Sequence, residues 1–304
     1  MFKKVLTTTV LSIVTLTSLN AKDFNAQAEE DRKAMIKYFE KKFENPEKNR
    51  YEYFPYSTDE ELAKQIDKGL KHQDFGKGNY AYNIDGRITY EQMKEFPPYE
   101  EDIEKGEELW NKPFKNGKAI KDCFKAPTDY AKYPYFDEAK NEVVTISETI
   151  NKCITSNGGK KLNDKKGDMA RIQAYMANET KEAGLKVNVK IESVNAAAAY
   201  ERGKEYFYTQ RGYLKLNCAE CHVQGAGKRV RNEKLSQTLG HVTHFPVYRM
   251  KWQGLGTLER RMSGCIKDQG QVPPKTTSPE MKELLFYMSY ISNGMKFDGP
   301  DIRK

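Results

Sequence analysis

The stretch that decides the fold is CAECH, residues Cys218–His222. Two residues separate its cysteines, and a histidine follows the second cysteine directly. Thiols at this spacing can each add to one vinyl group of a haem, and the adjacent histidine can then ligate the iron. A short disulfide loop beside an unrelated histidine is a rarer use of the spacing outside the cytosol. The motif therefore predicts one covalently bound haem c, attached through Cys218 and Cys221 and ligated by His222.

The first residues are typical of an export signal. Lys3 and Lys4 precede an apolar, threonine-rich run from Val5 to Leu19, and Ala21 is a suitable cleavage residue. A membrane-spanning helix needs about 20 apolar residues, so this run is short for one, and a polar segment follows it. We therefore expect residues 1–21 to be a cleavable signal peptide. The mature chain would be periplasmic and would contain no membrane span.

The composition limits the class of partner. The chain has 304 residues, with 51 Lys or Arg and 43 Asp or Glu, and a formal net charge of +8. Because the cations are spread among nearly as many acids, we do not expect binding to nucleic acid. A local positive field for a small anion or an acidic partner fits better. The length is sufficient for two domains.

The donor on the second face of the iron does not follow from the motif alone. Five candidates come later in the chain: His241, His244, Met250, Met262 and Cys265. Small cytochromes c commonly use methionine, but methionine also fills cores. Both histidines lie in an aromatic segment, where packing roles are equally open. Spacing within this part of the chain does not separate the five candidates.

The chain contains an internal repeat of two segments. The matching segments are EKGEELW (104–110) with ERGKEYF (201–207), and DMARIQAYMAN (168–178) with EMKELLFYMSY (280–290). The longer segments carry apolar residues at helical spacing. We therefore expect helices near Gly106, Met169, Gly203 and Met281.

The repeat also pairs the cysteines of the two halves. Cys153 lies 16 residues before Met169, and Cys265 lies 16 residues before Met281. The segment CFKAP, which begins at Cys123, lies where CAECH lies in the second half, but it lacks the second thiol and the histidine. These matches predict an all-α fold of two cytochrome c-like domains in tandem, the first of which has lost its haem. They favour Cys265 as the distal ligand, and they leave Cys123 and Cys153 free to form a disulfide.

The repeat and the export signal predict a division of the chain into four segments. They are the signal peptide (1–21), an N-terminal helical extension (22–80), a haem-less cytochrome c-like domain (81–190) and a haem-binding domain (191–304). The extension contains charged amphipathic stretches. We expect it to wrap the first domain or a partner.

Cys265 is accompanied by many cations. Those from the motif onward are Lys228, Arg229, Arg231, Arg249, Arg260, Arg261 and Lys267. A positive field favours a thiolate and attracts an anion. If this segment is helical, the four-residue offset places Arg261 on the same face as Cys265.

From Tyr82 to Lys304 the chain resembles the A subunits of thiosulfate-oxidising cytochrome complexes, the SoxA family. The resemblance is densest from Leu216 to Cys265, and the tail SNGMKFDGP (292–300) shares it. CFKAP stands where the diheme members have a first haem motif, so the chain resembles the single-haem branch.

The resemblance implies an activity and a role for each matched residue. The activity is that of an L-cysteine S-thiosulfotransferase, which joins thiosulfate to a cysteine of the SoxYZ carrier and works as a heterodimer with the monohaem cytochrome SoxX. The implied roles are haem attachment for Cys218 and Cys221, proximal ligation for His222, distal ligation and catalysis for Cys265 (a persulfide in the family), substrate binding for Arg261, and a disulfide for Cys123 and Cys153.

Two other functions remain open from the sequence. A thiosulfate dehydrogenase would join two thiosulfates into tetrathionate with a cysteine-ligated haem. A non-catalytic electron-transfer cytochrome would use Cys265 only to tune the haem.

Overall fold

The computed structural model describes residues 24–230 and 233–304, so the expected signal peptide and Arg231 lie outside the described residues. The α-helices of the described ranges are α1 (Ala26–Glu44), α2 (Arg50–Tyr53), α3 (Asp59–Lys64), α4 (Ile84–Glu95), α5 (Glu100–Asn111), α6 (Ile146–Ser156), α7 (Asp168–Glu182), α8 (Val194–Tyr208), α9 (Leu258–Asp268) and α10 (Pro279–Ile291). No described helix combines the length and apolar character needed to cross a lipid bilayer.

Short strands and turns connect these helices. The strands are β1 (Tyr135–Asp137), β2 (Glu142–Val144), β3 (Arg229–Val230), β4 (Glu233–Lys234), β5 (Val247–Arg249), β6 (Gly254–Gly256) and β7 (Asp301–Arg303). Short segments of 3₁₀ or π helix span His72–Ala81, Ile120–Cys123, Pro127–Lys132, Glu220–Gln224 and Met250–Trp252. β1 pairs with β2 and β3 with β4, while β5 lies between antiparallel β6 and parallel β7. The architecture is mostly helical, as expected, and the repeat did not predict these small sheets.

Two helix pairs, α5 with α7 and α8 with α10, cross at glycines. A Cβ on Gly106 would lie 2.1 Å from the carbonyl oxygen of Arg171, and one on Gly203 would lie 2.0 Å from that of Glu283. Any side chain at either glycine would push the helices apart, so only glycine permits backbones this close. The four helices predicted from the repeat are therefore present, and they pack in two matching pairs.

Helices α6 and α9 are built alike. Each has 11 residues and begins after a threonine, Thr145 or Thr257, whose hydroxyl accepts the backbone N–H three residues later. Such caps contribute about 1 kcal/mol to helix stability. Cys153 and Cys265 occupy the same position in their respective helices. The sequence spacing predicted that the two cysteines are equivalent. The helices that carry them also share the same threonine cap.

The N-terminal helix α1 packs on the C-terminal half of the chain. The Asp31 carboxylate accepts hydrogen bonds from the Tyr200 hydroxyl at 3.0 Å and from the Lys204 ammonium at 2.5 Å, both on α8. Arg32 donates to the carbonyl oxygen of Asn293, just beyond α10. Of the two expected roles of the extension, wrapping the first domain or a partner, the first does not describe α1, which packs on the half that contains CAECH.

Candidate functional site

The two thiols of CAECH are held by a tight turn. The Asn217 side chain accepts the Glu220 backbone N–H at 2.8 Å, and the Glu220 carboxylate accepts the Asn217 backbone N–H at 3.0 Å. This reciprocal pair satisfies two backbone donors where the turn begins. Cys218 is buried, Cys221 is half-buried, and both are free thiols. The turn thus presents two thiols at the spacing that thioether attachment requires.

His222, directly after the turn, is held as a neutral imidazole. Its Nδ1 lies 2.8 Å from the carbonyl oxygen of Ser236 and must donate, because a carbonyl can only accept. Burial, reinforced by the Arg261 charge, lowers the pKa of His222 to about 4. Nε2 therefore carries the free lone pair, as in histidines that ligate metals.

The histidines His241 and His244 have structural contacts of their own. The His241 ring meets the His222 ring edge-on, with centroids 4.6 Å apart, and its Nε2 is hydrogen-bonded to the Ser236 hydroxyl at 2.8 Å. His244 is buried and donates from Nδ1 to the Gly240 carbonyl at 3.1 Å. His241 thus lies beside the candidate proximal ligand rather than opposite to it.

The remaining candidate donors separate by burial. Met262 is packed in the hydrophobic core, and Met250 is 53% exposed. Cys265 is a free thiol on α9 and is half-buried. Of these three sulfurs, Met262 is enclosed by the core and Met250 is exposed, whereas the half-buried Cys265 is the one that lies beside the CAECH thiols.

Helix α9 places Arg261 and Cys265 one turn apart, both half-buried. Cys265 lies close enough to the CAECH turn to influence the pKa values of both of its thiols. Burial, and then the neighbouring Cys265, raise the pKa of Cys218 to about 12, and the same two causes raise the pKa of Cys221. A Cβ on Gly264 would meet no atom within 4 Å. The α9 surface next to Cys265 is therefore open.

These donors fit a c-type haem. Two thiols stand at thioether spacing, a neutral imidazole follows them, and a third sulfur comes from a separate helix. Cys218 and Cys221 could hold the porphyrin, while His222 and Cys265 could ligate the iron.

The three arginines around α9 differ in their surroundings. The Arg260 guanidinium lies 4.1 Å from the centroid of the Trp252 ring, and that of Arg249 lies 5.3 Å from it. Burial and the Arg261 charge lower the pKa of Arg249, whereas Cys265 acts in the opposite direction. Arg249 therefore lies near both predicted site residues. Trp252, which belongs to no sequence motif, thus lies against two of the guanidinium groups.

A buried carboxyl group, Glu259, also belongs to α9 and was not predicted. Its Oε1 accepts the Ser147 hydroxyl at 2.6 Å, and the Gln173 amide donates to that hydroxyl at 2.8 Å. Burial raises the pKa of Glu259. The network ties the helix of Cys265 to α6 and α7. No local sequence signal distinguishes this glutamate from an exposed one.

The other two cysteines, Cys123 and Cys153, form a disulfide with Cα atoms 6.1 Å apart. Cys123 is exposed at the end of a 3₁₀ turn, and Cys153 is buried on α6. The predicted disulfide between Cys123 and Cys153 is therefore present, and Cys218, Cys221 and Cys265 remain as free thiols.

Comparison with a protein-family model places these features in a known group. The model of the SoxA/TsdA cytochrome c domain matches residues 105–185 and 202–297. The cytochrome c-like fold expected from the sequence is thus confirmed, and with it the class of cofactor, a c-type haem.

Individual relatives agree with that match. The chain is 46% identical to the L-cysteine S-thiosulfotransferase subunit SoxA of Chlorobaculum thiosulfatiphilum, over 78% of this chain and 82% of the relative. It is 41% identical to the same subunit of Chlorobaculum tepidum, over 96% of both chains. The crystal structure of SoxXA from P. pantotrophus matches with a TM-score of 0.64 at 28% identity, covering 71% of this chain and 84% of that one. The chain therefore belongs to the SoxA family of c-type cytochromes.

Proposed function

We propose that this chain is the catalytic subunit of an L-cysteine S-thiosulfotransferase, which joins thiosulfate to a cysteine of a sulfur-carrier protein like SoxYZ. The observation that carries the proposal is the placement of Arg261 and Cys265 one turn apart on α9, beside Cys218 and Cys221. The guanidinium of Arg261, which can bind an anion, and the thiol of Cys265, which can act as a nucleophile, therefore both lie on the helix beside the haem-attachment turn. Relatives that are 41–46% identical carry this activity in their names.

The proposed cofactor is one haem c, bound covalently through Cys218 and Cys221 and ligated by His222 and Cys265. His222 is neutral, and its Nδ1–H donates to the carbonyl oxygen of Ser236, which supports its role as the proximal ligand of the iron. A haem held by these residues would accept one electron at a time, so removing two electrons would call for a second haem, which we assign to a SoxX-like monohaem partner in a heterodimer.

Arg261 is proposed to bind the sulfonate group of thiosulfate. A guanidinium is planar and presents two parallel N–H donors, which match two sulfonate oxygens. Hydrogen bonds to charged groups contribute about 1.5 to 3 kcal/mol each. Arg249, which lies near Arg261 and Cys265, adds positive charge. The sulfane sulfur of the bound dianion is thereby directed at the Cys265 thiolate.

The proposed conjugation of thiosulfate to the carrier cysteine takes place in two steps. The Cys265 thiolate and the sulfane sulfur of thiosulfate form an S–S bond with the loss of two electrons. The carrier thiolate then attacks that sulfane sulfur, forms a new S–S bond and displaces the Cys265 thiolate. The net change is one carrier thiol and one thiosulfate converted to a cysteine S-thiosulfonate, one proton and two electrons.

The first half of the chain, residues 81–190, is proposed to be a cytochrome c-like domain that has lost its haem, followed by the haem-binding domain 191–304. The glycine crossings and the matching helices α6 and α9 support this duplication. So does the match of the family model to two separate stretches. The Cys123–Cys153 disulfide joins the positions that correspond to haem attachment and distal ligation in the second half.

The proposed location is the periplasm, after cleavage of residues 1–21. The basic start and the apolar run of that segment support export. An oxidising compartment also suits the disulfide of the first half.

Product analysis tests the function. The chain, purified with its cytochrome partner, is supplied with thiosulfate and an electron acceptor, with and without a carrier protein bearing one reactive cysteine. We expect a thiosulfonate adduct on the carrier by intact mass, and its loss in Cys265→Met. Tetrathionate formed without the carrier would favour a thiosulfate dehydrogenase. Redox cycling with neither product would favour an electron carrier.

A further inference from the structure

Lys42 on α1 is fully buried, and its ammonium is hydrogen-bonded to the turn that contains CAECH. Nζ donates to the carbonyl oxygens of Val223 at 3.2 Å and Gln224 at 2.9 Å. These residues follow His222 directly and end the π turn. The last carbonyls of a helical turn lack partners within it, so Lys42 satisfies acceptors that the turn leaves open.

Three aromatic rings surround the ammonium. The ring centroids of Phe54, Tyr38 and Tyr53 lie 5.2, 5.8 and 5.9 Å from Nζ. Cation–π attraction offsets part of the cost of removing the charge from water. The loop after the turn lies against the same cluster, because a Cβ on Gly227 would come within 3.0 Å of the Phe54 ring. The N-terminal segment therefore forms the wall behind the haem-attachment turn.

No carboxylate of the described residues compensates the positive charge of Lys42 by forming an ion pair, and Lys228 on the neighbouring loop repels it. Burial, followed by Lys228, lowers the pKa of Lys42 to about 7. The titratable groups that face it are the hydroxyls of Tyr38 on α1 and Tyr53 on α2. A methionine would fill a similar volume without the desolvation cost of a buried cation.

We propose that Lys42 is a positioning residue of the iron site, which fixes the backbone that follows His222 and whose positive charge raises the reduction potential of the haem bound there. A nearby positive charge favours the reduced form, because reduction lowers the charge of the iron. The charge of Lys42 thus offsets part of the decrease in reduction potential that thiolate ligation by Cys265 causes. The inference rests on the proposed attachment of haem at CAECH.

The potential of the purified holoprotein tests the proposal in spectroelectrochemical titrations. In Lys42→Met at pH 6, we expect the reduction equilibrium to shift about threefold to tenfold toward the oxidised form. That shift is about 30 to 60 mV for a one-electron couple. The matched control is Lys41→Met, which removes the same charge from the preceding residue, an exposed lysine paired with Glu52. Equal potentials in Lys42→Met and Lys41→Met would overturn the proposal.

The pH dependence provides a second test that does not require the Lys42 variant to fold. The wild-type potential should fall as the pH rises through about 7, because Lys42 loses its charge there. In Lys228→Gln the like charge is gone, so this inflection should move to higher pH. An unmoved inflection would count against Lys42 as its source. Absence of haem from wild type by intact mass would instead refute the attachment site, so the two failures are distinguishable.

Discussion

A Cβ on Gly203 would lie 2.0 Å from the carbonyl oxygen of Glu283, so α8 and α10 cross with their backbones in contact. Gly106 and Arg171 repeat this relationship between α5 and α7. The offset along the sequence from Arg171 to Glu283 is the same as that from Cys153 to Cys265. The two crossings and the two cysteines therefore stand in the same register across the repeat.

Gly203→Ala is expected to destabilise the protein despite the better helix propensity of alanine. The added methyl group must displace the backbone of α10, and overpacking of this kind costs about 1 to 3 kcal/mol. Chemical denaturation of the holoprotein measures the change. Ala198→Gly, at an exposed position of the same helix, isolates the propensity difference of about 1 kcal/mol. A Gly203→Ala protein more stable than wild type by the propensity difference measured at Ala198 would show that the helices can separate without cost.

Arg261→Lys should lower kcat/KM for thiosulfate although it keeps the positive charge. Lysine cannot offer two parallel donors to a sulfonate group. The loss of one or more charge-assisted hydrogen bonds predicts a decrease of about 10- to 150-fold. Arg260→Lys is the matched control, because Arg260 stacks on Trp252. Equal decreases in both variants would mean that the loss is not specific to Arg261, and an unchanged kcat/KM in Arg261→Lys would mean that charge alone is sufficient at this site.

Cys265→Met should change the axial ligation of the iron. Low-temperature electron paramagnetic resonance of the oxidised holoprotein is expected to show a low-spin histidine and thiolate signal in wild type, and a different signal in the variant. Intact mass should find one haem in both proteins. Identical spectra would place the distal ligand elsewhere.

Cys123→Ser should lower the free energy of unfolding by about 3 to 4 kcal/mol. The disulfide closes a loop over a sequence separation of 30 residues, and the chain-entropy estimate for such a loop gives this range. The haem spectrum should not change, because both cysteines lie outside the CAECH turn and α9. A spectral change would reveal coupling between the disulfide and the haem site.

Glu259→Gln should become more stabilising, relative to wild type, as the pH rises above about 4.5. Burial raises the pKa of Glu259 from the ordinary value of 4.5, so the unfolded chain releases this proton at lower pH than the folded protein does. Wild-type stability therefore falls through that range. Glutamine stays neutral and can still accept the Ser147 hydroxyl. Denaturation at several pH values tests this, and a stability difference independent of pH would contradict it.

Local spacing was sufficient for the features that depend on neighbouring residues. CAECH predicted the cytochrome class, since the attachment of haem needs two thiols and a histidine within five residues. Helical periodicity predicted α5, α7, α8 and α10. The placement of Arg261 on the same helical face as Cys265 followed from their four-residue offset. The small sheets were not predicted, because their strands have at most three residues and carry no readable alternation.

The sequence by itself determined the haem-attachment motif, the repeat and the expected Cys123–Cys153 disulfide, because each follows from spacing along the chain. Only the tertiary structure decided what surrounds them. Lys42 reaches Val223 across 181 residues, and Ser147 reaches Glu259 across 112. His241 turned out to lie beside His222. Contacts over such separations depend on how the helices pack, and packing responds to shape and burial over the whole chain, which no short pattern encodes.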